Sequence, residues 1–222
     1  MTSVLVADDQ VLIRAGLAAL LRAAPGLDVV GEAEDGEAAV ELAWATRPDI
    51  VLMDVRMPRL DGIAATRRLL APDSPHRPKV LILTTFDLDE YVYKAIQAGA
   101  SGFLLKDTGP DRLLAGISTV AHGDTLLAPN ITRRLIEAFA PEQVRPEPQQ
   151  SRDLELLTGR ENQVLRLVAK GLDNQDIAQR LHVSQATVKT HLNRAMTKLG
   201  LSSRAQAVVH AYEHGLVVPS VG

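Results

Sequence analysis

The feature that most constrains this chain is a rhythm. Five short apolar runs, Val4 to Ala7, Val29 to Ala33, Ile50 to Met53, Val80 to Leu83 and Gly102 to Leu104, are separated by segments of helical period. Runs this short, rich in valine, isoleucine and leucine, suit strands covered on both faces, and parallel strands need crossovers of about a dozen residues or more. Gln10 to Ala23, Gly36 to Thr46, Gly62 to Leu70 and Leu88 to Ala98 supply such crossovers, and Asp111 to His122 follows the last run as a fifth helical segment. The pattern predicts a doubly wound α/β domain with a five-stranded parallel sheet over residues 1–125.

The rhythm then stops. Ile131 to Phe139 could form one more helix, and residues 140–151 carry three prolines and almost no apolar content, so residues 126–156 are read as a linker. From Leu157 to Gly222 no strand pattern recurs. Thr158 and Glu161 stand at capping-box spacing, Gly171 at a helix terminator and Ser184 at an N-cap, which predicts an all-α second domain over 157–222.

Composition narrows the chemistry. Apolar residues are 46% and charged residues 23% of the 222, close to the average for globular proteins. No run approaches the roughly 18 apolar residues that span a bilayer, and no basic segment precedes an apolar stretch at the N-terminus, so a cytoplasmic protein without membrane contact is expected. The absence of cysteine removes disulfides, thiolate metal sites and thiol catalysis. The net charge of −3 hides an asymmetry: residues 1–140 hold 19 acids and 14 Lys/Arg, whereas residues 141–222 hold 8 acids and 10 Lys/Arg. Between Ile177 and Tyr212 there is no acid against five basic residues, a window compatible with a polyanion.

In an open parallel sheet, ligands gather at the C-terminal ends of the strands. Asp8 and Asp9 follow the first run, Asp54 ends the third, Thr84 ends the fourth and Lys106 follows the fifth. Taken singly, each is equally well explained as a solvated loop or capping residue. Together they are harder to dismiss. Carboxylates that share a site repel one another unless a hard cation joins them, and Mg²⁺ takes a few carboxylate oxygens while leaving room for a phosphoryl oxygen. One carboxylate could then attack a phosphoryl group, with Lys106 and the Thr84 hydroxyl stabilising the charge.

The residues carrying this constellation, Val4 to Asp9, Asp49 to Gly62 with Met-Pro at 57–58 and Asp-Gly at 61–62, Leu81 to Thr85, and Gly99 to Lys106, closely resemble the flavodoxin-like receiver domain of two-component response regulators. That resemblance implies that Asp54 is the phosphoacceptor and that Asp8, Asp9, Asp54 and the Arg56 backbone carbonyl hold Mg²⁺. It further implies that Thr84 and Lys106 bind the phosphoryl group, and that Phe103 is a switch residue where plain core packing is the alternative. Many receivers follow the lysine with proline; here it is Asp107. A cis peptide at that bond would cost about 3 kcal/mol more than trans.

In the second domain, Leu172 to Leu181, a turn at His182 and Val183, and Ser184 to Leu199 predict a helix-turn-helix. At about 100° per residue, Val188, Leu192, Ala195 and Leu199 fall on one side, and Ala186, Lys189, Thr190, Asn193 and Thr197 on another. Lys189 could donate to guanine, Asn193 could pair with adenine, and Thr190 could meet a thymine methyl, while Arg194 and Lys198 could hold phosphates. An anonymous amphipathic helix would show the same solvated face. The residues Leu157 to Leu165, Asn174 to Ala178 and Val183 to Leu192, however, resemble the LuxR-type DNA-binding domain, with Asp176 where that family usually has glutamate. The resemblance implies double-stranded DNA as partner, with Thr187 and His191 joining the contact set. Packing is the alternative for His191. The last helical segment, Arg204 to Tyr212, offers either core or a dimer face.

The two resemblances together point to the NarL/FixJ class: a transcriptional regulator, not an enzyme, phosphorylated by a sensor histidine kinase and acting as a homodimer. Two rivals are a Mg²⁺-dependent phosphatase, for which no Asp-x-Asp nucleophile motif or cap insertion is present, and a regulator that dimerises without phosphorylation.

Overall fold

The computed structural model describes residues 1–84, 89–121 and 156–217, and the chain divides into two compact units, residues 1–126 and 127–222. The segments read above as a helix over 131–139 and as a proline-bearing linker lie outside the described residues, apart from Leu156.

The first unit is a five-stranded parallel sheet in the order β2-β1-β3-β4-β5. The strands are β1 (Thr2–Ala7), β2 (Leu27–Ala33), β3 (Ile50–Asp54), β4 (Lys79–Thr84) and β5 (Gly102–Leu105), as the rhythm predicts. Helices α1 (Val11–Ala23), α2 (Gly36–Thr46), α3 (Gly62–Leu69), α4 (Asp89–Gln97) and α5 (Pro110–Ala121) alternate with them. Strand ends run further than the apolar runs because ladder partners, not hydropathy, set them. Polar Thr2 and Ser3 pair with Leu27 and Asp28 in β2.

The period of two along each strand sorts the helices. Leu5, Ala7, Val51, Met53, Val80 and Ile82 face Ala39, Val40 and Ala43 of α2, Ile63, Ala65 and Leu69 of α3, and Ala95 of α4. Val4, Val6, Ile50, Leu52, Leu81 and Leu83 face Leu21 of α1 and Leu113, Ile117 and Val120 of α5. Both faces are thus sealed, and every residue of β3 is buried. Because β1 sits between β2 and β3, chain direction around the sheet reverses there, opening the crevice where ligands collect in such sheets.

The second unit holds α6 (Gly159–Ala169), α7 (Asn174–Leu181), α8 (Gln185–Lys198) and α9 (Arg204–Glu213). Each begins at a side-chain cap. Thr158 and Glu161 form the reciprocal capping box read from the sequence, Ser184 caps α8, and Asp173 and Ser203 cap α7 and α9. Gly171 follows α6 with φ of 83°, the conformation a helix terminator requires. Val164, Leu165 and Val168 of α6 pack with Ile177, Val188, Leu192, Ala207 and Ala211, and Val208 and Tyr212 lie against the same core. Of the last helix, Ala207 and Ala211 are therefore core, while Val208 and Tyr212 stay partly exposed on it.

Candidate functional site

Each acidic side chain is delivered by the end of a strand. Asp8 leaves β1 buried, Asp9 turns outward to solvent, and Asp54 closes β3 at 5% exposure. Carboxylate oxygens of Asp8, Asp9 and Asp54 all lie within 4.8 Å of one another. Lys106, just past β5, extends a nearly sealed side chain between two of them, its Nζ 2.7 Å from Asp8 Oδ2 and 3.1 Å from Asp54 Oδ1. Thr84 ends β4, buried, with its carbonyl accepting from the Lys106 amide at 2.7 Å. The structure therefore brings together the three carboxylates and the Lys106 ammonium, with Thr84 tied to Lys106 through the backbone.

The electrostatics are those of an acidic cluster short of positive charge. Burial pushes the Asp54 carboxyl above its ordinary range; Lys106 opposes the shift and Asp8 adds to it. Burial alone would lower the Lys106 ammonium, but its contacts with Asp8 and Asp54 outweigh that and raise it. Asp8 Oδ1 accepts from the Gln10 amide at 2.9 Å. Its Oδ2, fully buried, has the ion pair with Lys106 but no well-aligned hydrogen bond. A sealed carboxylate oxygen left underserved beside two more carboxylates fits a hard oxygen-seeking cation such as Mg²⁺.

The floor of the site depends on Gly62, where a β-carbon would lie 1.8 Å from the Asp54 carbonyl oxygen. Asp61 then caps α3 by accepting from the Ala64 amide at 2.7 Å. Arg56 lies on the exposed rim, its guanidinium 5.6 Å from the Tyr91 ring centroid, beside a cleft of about 470 Å³ lined by Asp9, Met57 and Pro58 among others. Phe103 pairs across the ladder with Ile82 and is half-buried against the core cluster under α2, α3 and α4. No peptide bond among the described residues is cis, so Lys106–Asp107 is trans.

In the second unit, α8 buries Val188, Leu192 and Ala195 and presents Lys189, Thr190, Asn193 and Arg194 to solvent, with Thr187 and His191 half-exposed. The Thr190 hydroxyl donates to the Ala186 carbonyl at 2.9 Å, and Thr187 is held at the N-cap by Ser184. Lys198 is also exposed, but its Nζ lies 2.7 Å from Glu161 Oε2, an ion pair the sequence did not suggest. Lys198 thus serves the domain's own fold. Sequence reading also missed Arg59, which pairs with the buried Asp35.

The comparisons agree with this geometry. The model of the response regulator receiver domain matches residues 4–118, and that of the bacterial regulatory proteins of the luxR family matches residues 155–211. The chain belongs to the two-component response regulators. Its relatives include the uncharacterized transcriptional regulatory protein YxjL of Bacillus subtilis, 42% identical over 215 residues that cover 96% of each chain. The transcriptional regulatory protein LnrK of the same organism is 37% identical over 98% of this chain and 100% of its own. Among solved structures, the response regulator ChrA of a heme-sensing two-component system is 34% identical, with a TM-score of 0.51 over 97% of this chain and 98% of that one. This response regulator therefore joins a receiver to a LuxR-type helix-turn-helix, the NarL/FixJ arrangement, and is a DNA-binding transcriptional regulator rather than an enzyme. No helix among the described residues is long and apolar enough to cross a membrane.

Proposed function

We propose that this regulator accepts a phosphoryl group on Asp54 from a phosphohistidine of a partner sensor kinase and thereby changes its grip on duplex DNA. The observation that carries the reading is the seating of the Lys106 ammonium between Asp8 and Asp54, with Asp9 within reach. An Asp54 oxygen attacks phosphorus, the P–N bond breaks, and the departing imidazole nitrogen keeps the electron pair and takes a proton. Mg²⁺ held by Asp8, Asp9, Asp54 and the Arg56 carbonyl would supply positive charge against the phosphoryl oxygens. Lys106, already desolvated, pairs with one of those oxygens, and the Thr84 hydroxyl donates to another.

The added charge then draws Thr84 inward, and Phe103, half-buried one strand over, follows into the space released. Through the face formed by α4 and α5 this biases the protein toward dimerisation or release of the C-terminal domain, so that a homodimer holds two half-sites. In each protomer α8 enters the major groove, where Lys189 and Asn193 read base edges and Thr190, its hydroxyl tied back to Ala186, turns its methyl outward. Thr187, His191 and Arg194 meet the backbone, with Lys198 shared between Glu161 and phosphate. Such a protein works in the cytoplasm, where its kinase and DNA are. Exposing wild type and Asp54→Ala to a small phosphodonor with Mg²⁺ tests the assignment by intact mass. The added phosphoryl mass is expected on wild type alone, and its appearance on both would refute Asp54 as acceptor.

A further inference from the structure

Arg59 stands in the loop between Asp54 and α3 and has φ of 62°, one of three non-glycine residues with positive φ among those described. A side chain there is disfavoured, so something must hold it. Its guanidinium Nη2 contacts Oδ2 of Asp35, a carboxylate with 0% exposure, and lies 3.4 Å from Glu34 Oε1. Asp35 is also the N-cap of α2, where its Oδ1 accepts from the Ala38 amide at 2.9 Å. One buried carboxylate therefore caps the helix with one oxygen, while the other meets the loop's guanidinium as an ion pair and has no well-aligned hydrogen bond.

The next residue repeats the tie in the backbone. The Leu60 carbonyl accepts from the Gly36 amide at 3.1 Å, and a β-carbon on Gly36 would come within 2.3 Å of that oxygen. Beyond it, the Gly62 amide donates to the Val55 carbonyl at 2.9 Å, closing the loop at its far end. Between these ties runs the stretch that includes Arg56, whose carbonyl faces the cation in the function proposed above.

We infer that Arg59 is a positioning residue for the cation site: by pairing with Asp35 it fixes the backbone path of the loop after Asp54, so Mg²⁺ affinity depends on a side chain that touches neither the ion nor the phosphoryl group. The inference rests on the acidic pocket being a Mg²⁺ site. Partners that orient ligands without touching the metal are worth about 10–100-fold in affinity.

The test titrates the full-length protein with Mg²⁺ alone by calorimetry and melts the same samples. Arg59→Gly keeps the backbone conformation without the pair and leaves Asp35 charged and buried; both its melting temperature and its Mg²⁺ affinity should fall, the latter about tenfold. Combining Arg59→Gly with Asp35→Asn removes the stranded charge while leaving an oxygen to cap α2. The melt should then recover toward wild type while Mg²⁺ affinity stays about tenfold weak. Recovery of both together would overturn the inference, as would wild-type Mg²⁺ affinity in Arg59→Gly. Failure of the wild-type protein to bind Mg²⁺ would instead sink the reading of the pocket itself.

Discussion

Replacing Lys198 with methionine keeps the apolar stem and deletes the charge that meets Glu161 at 2.7 Å. In the wild type the hydrogen bond from Lys198, helped by the Thr158 amide, holds the buried Glu161 carboxyl at about 2, against an ordinary 4.5. At about 1.4 kcal/mol per unit that shift is worth about 3 kcal/mol. Lys198 is 37% exposed and therefore screened, which reduces its share to about 1–2 kcal/mol. Because the folded-state value is depressed, this stability is fully present above about pH 5 and drains away as pH falls toward 2. Lys198→Met should therefore lower the melting of the helix-turn-helix unit at pH 7, by about 4–8 °C for each kcal/mol. The gap from wild type should close as pH falls toward 2. Scanning calorimetry of the full chain across that pH range measures the gap, and carboxyl NMR shifts of Glu161 report its titration directly. A gap that does not change with pH, or a wild-type Glu161 that titrates near its ordinary value, would refute the reasoning.

Lys106→Met should slow phosphorylation by a small phosphodonor by about 10²-fold or more while Asp54 remains chemically intact, since one fixed charge at the transferring group is lost; timed intact-mass measurements check this. Gly62→Ala should destabilise the receiver by several kcal/mol (about 3 or more), because its β-carbon would sit 1.8 Å from the Asp54 carbonyl and the backbone cannot retreat; denaturant melts measure it. Lys189→Ala and Asn193→Ala should each weaken binding to the preferred duplex by about 1–3 kcal/mol and to random duplex by less; equal losses on both would mean that these side chains only hold phosphates.

The parallel sheet was legible because its strands are buried on both faces and so stand out as unbroken apolar runs. The ends were less so: Thr2 and Ser3 look like a polar leader and become strand only through their partners in β2. The acidic pocket was legible because topology sends every strand's C-terminal end to the same edge, so Asp8, Asp54, Thr84 and Lys106 needed no distance information to be grouped. The ion pairs of Arg59 with Asp35 and of Lys198 with Glu161 were not legible. Arg59 and Asp35 meet only after the loop following β3 folds against α2, and Lys198 and Glu161 lie 37 positions apart, at opposite ends of separate helices. Their residue types alone signal a solvated surface, and the burial of one partner in each pair is a fact of the folded chain.

The claim that phosphoryl capture at Asp54 governs DNA binding is tested most directly by one titration. The full-length protein is added to its preferred duplex, selected from a random pool, with and without beryllofluoride and Mg²⁺, and fluorescence anisotropy reads the affinity. The account predicts that beryllofluoride changes the affinity of wild type and leaves Asp54→Ala unmoved. Identical curves for wild type with and without beryllofluoride, in a sample where the pocket has taken it up, would contradict it.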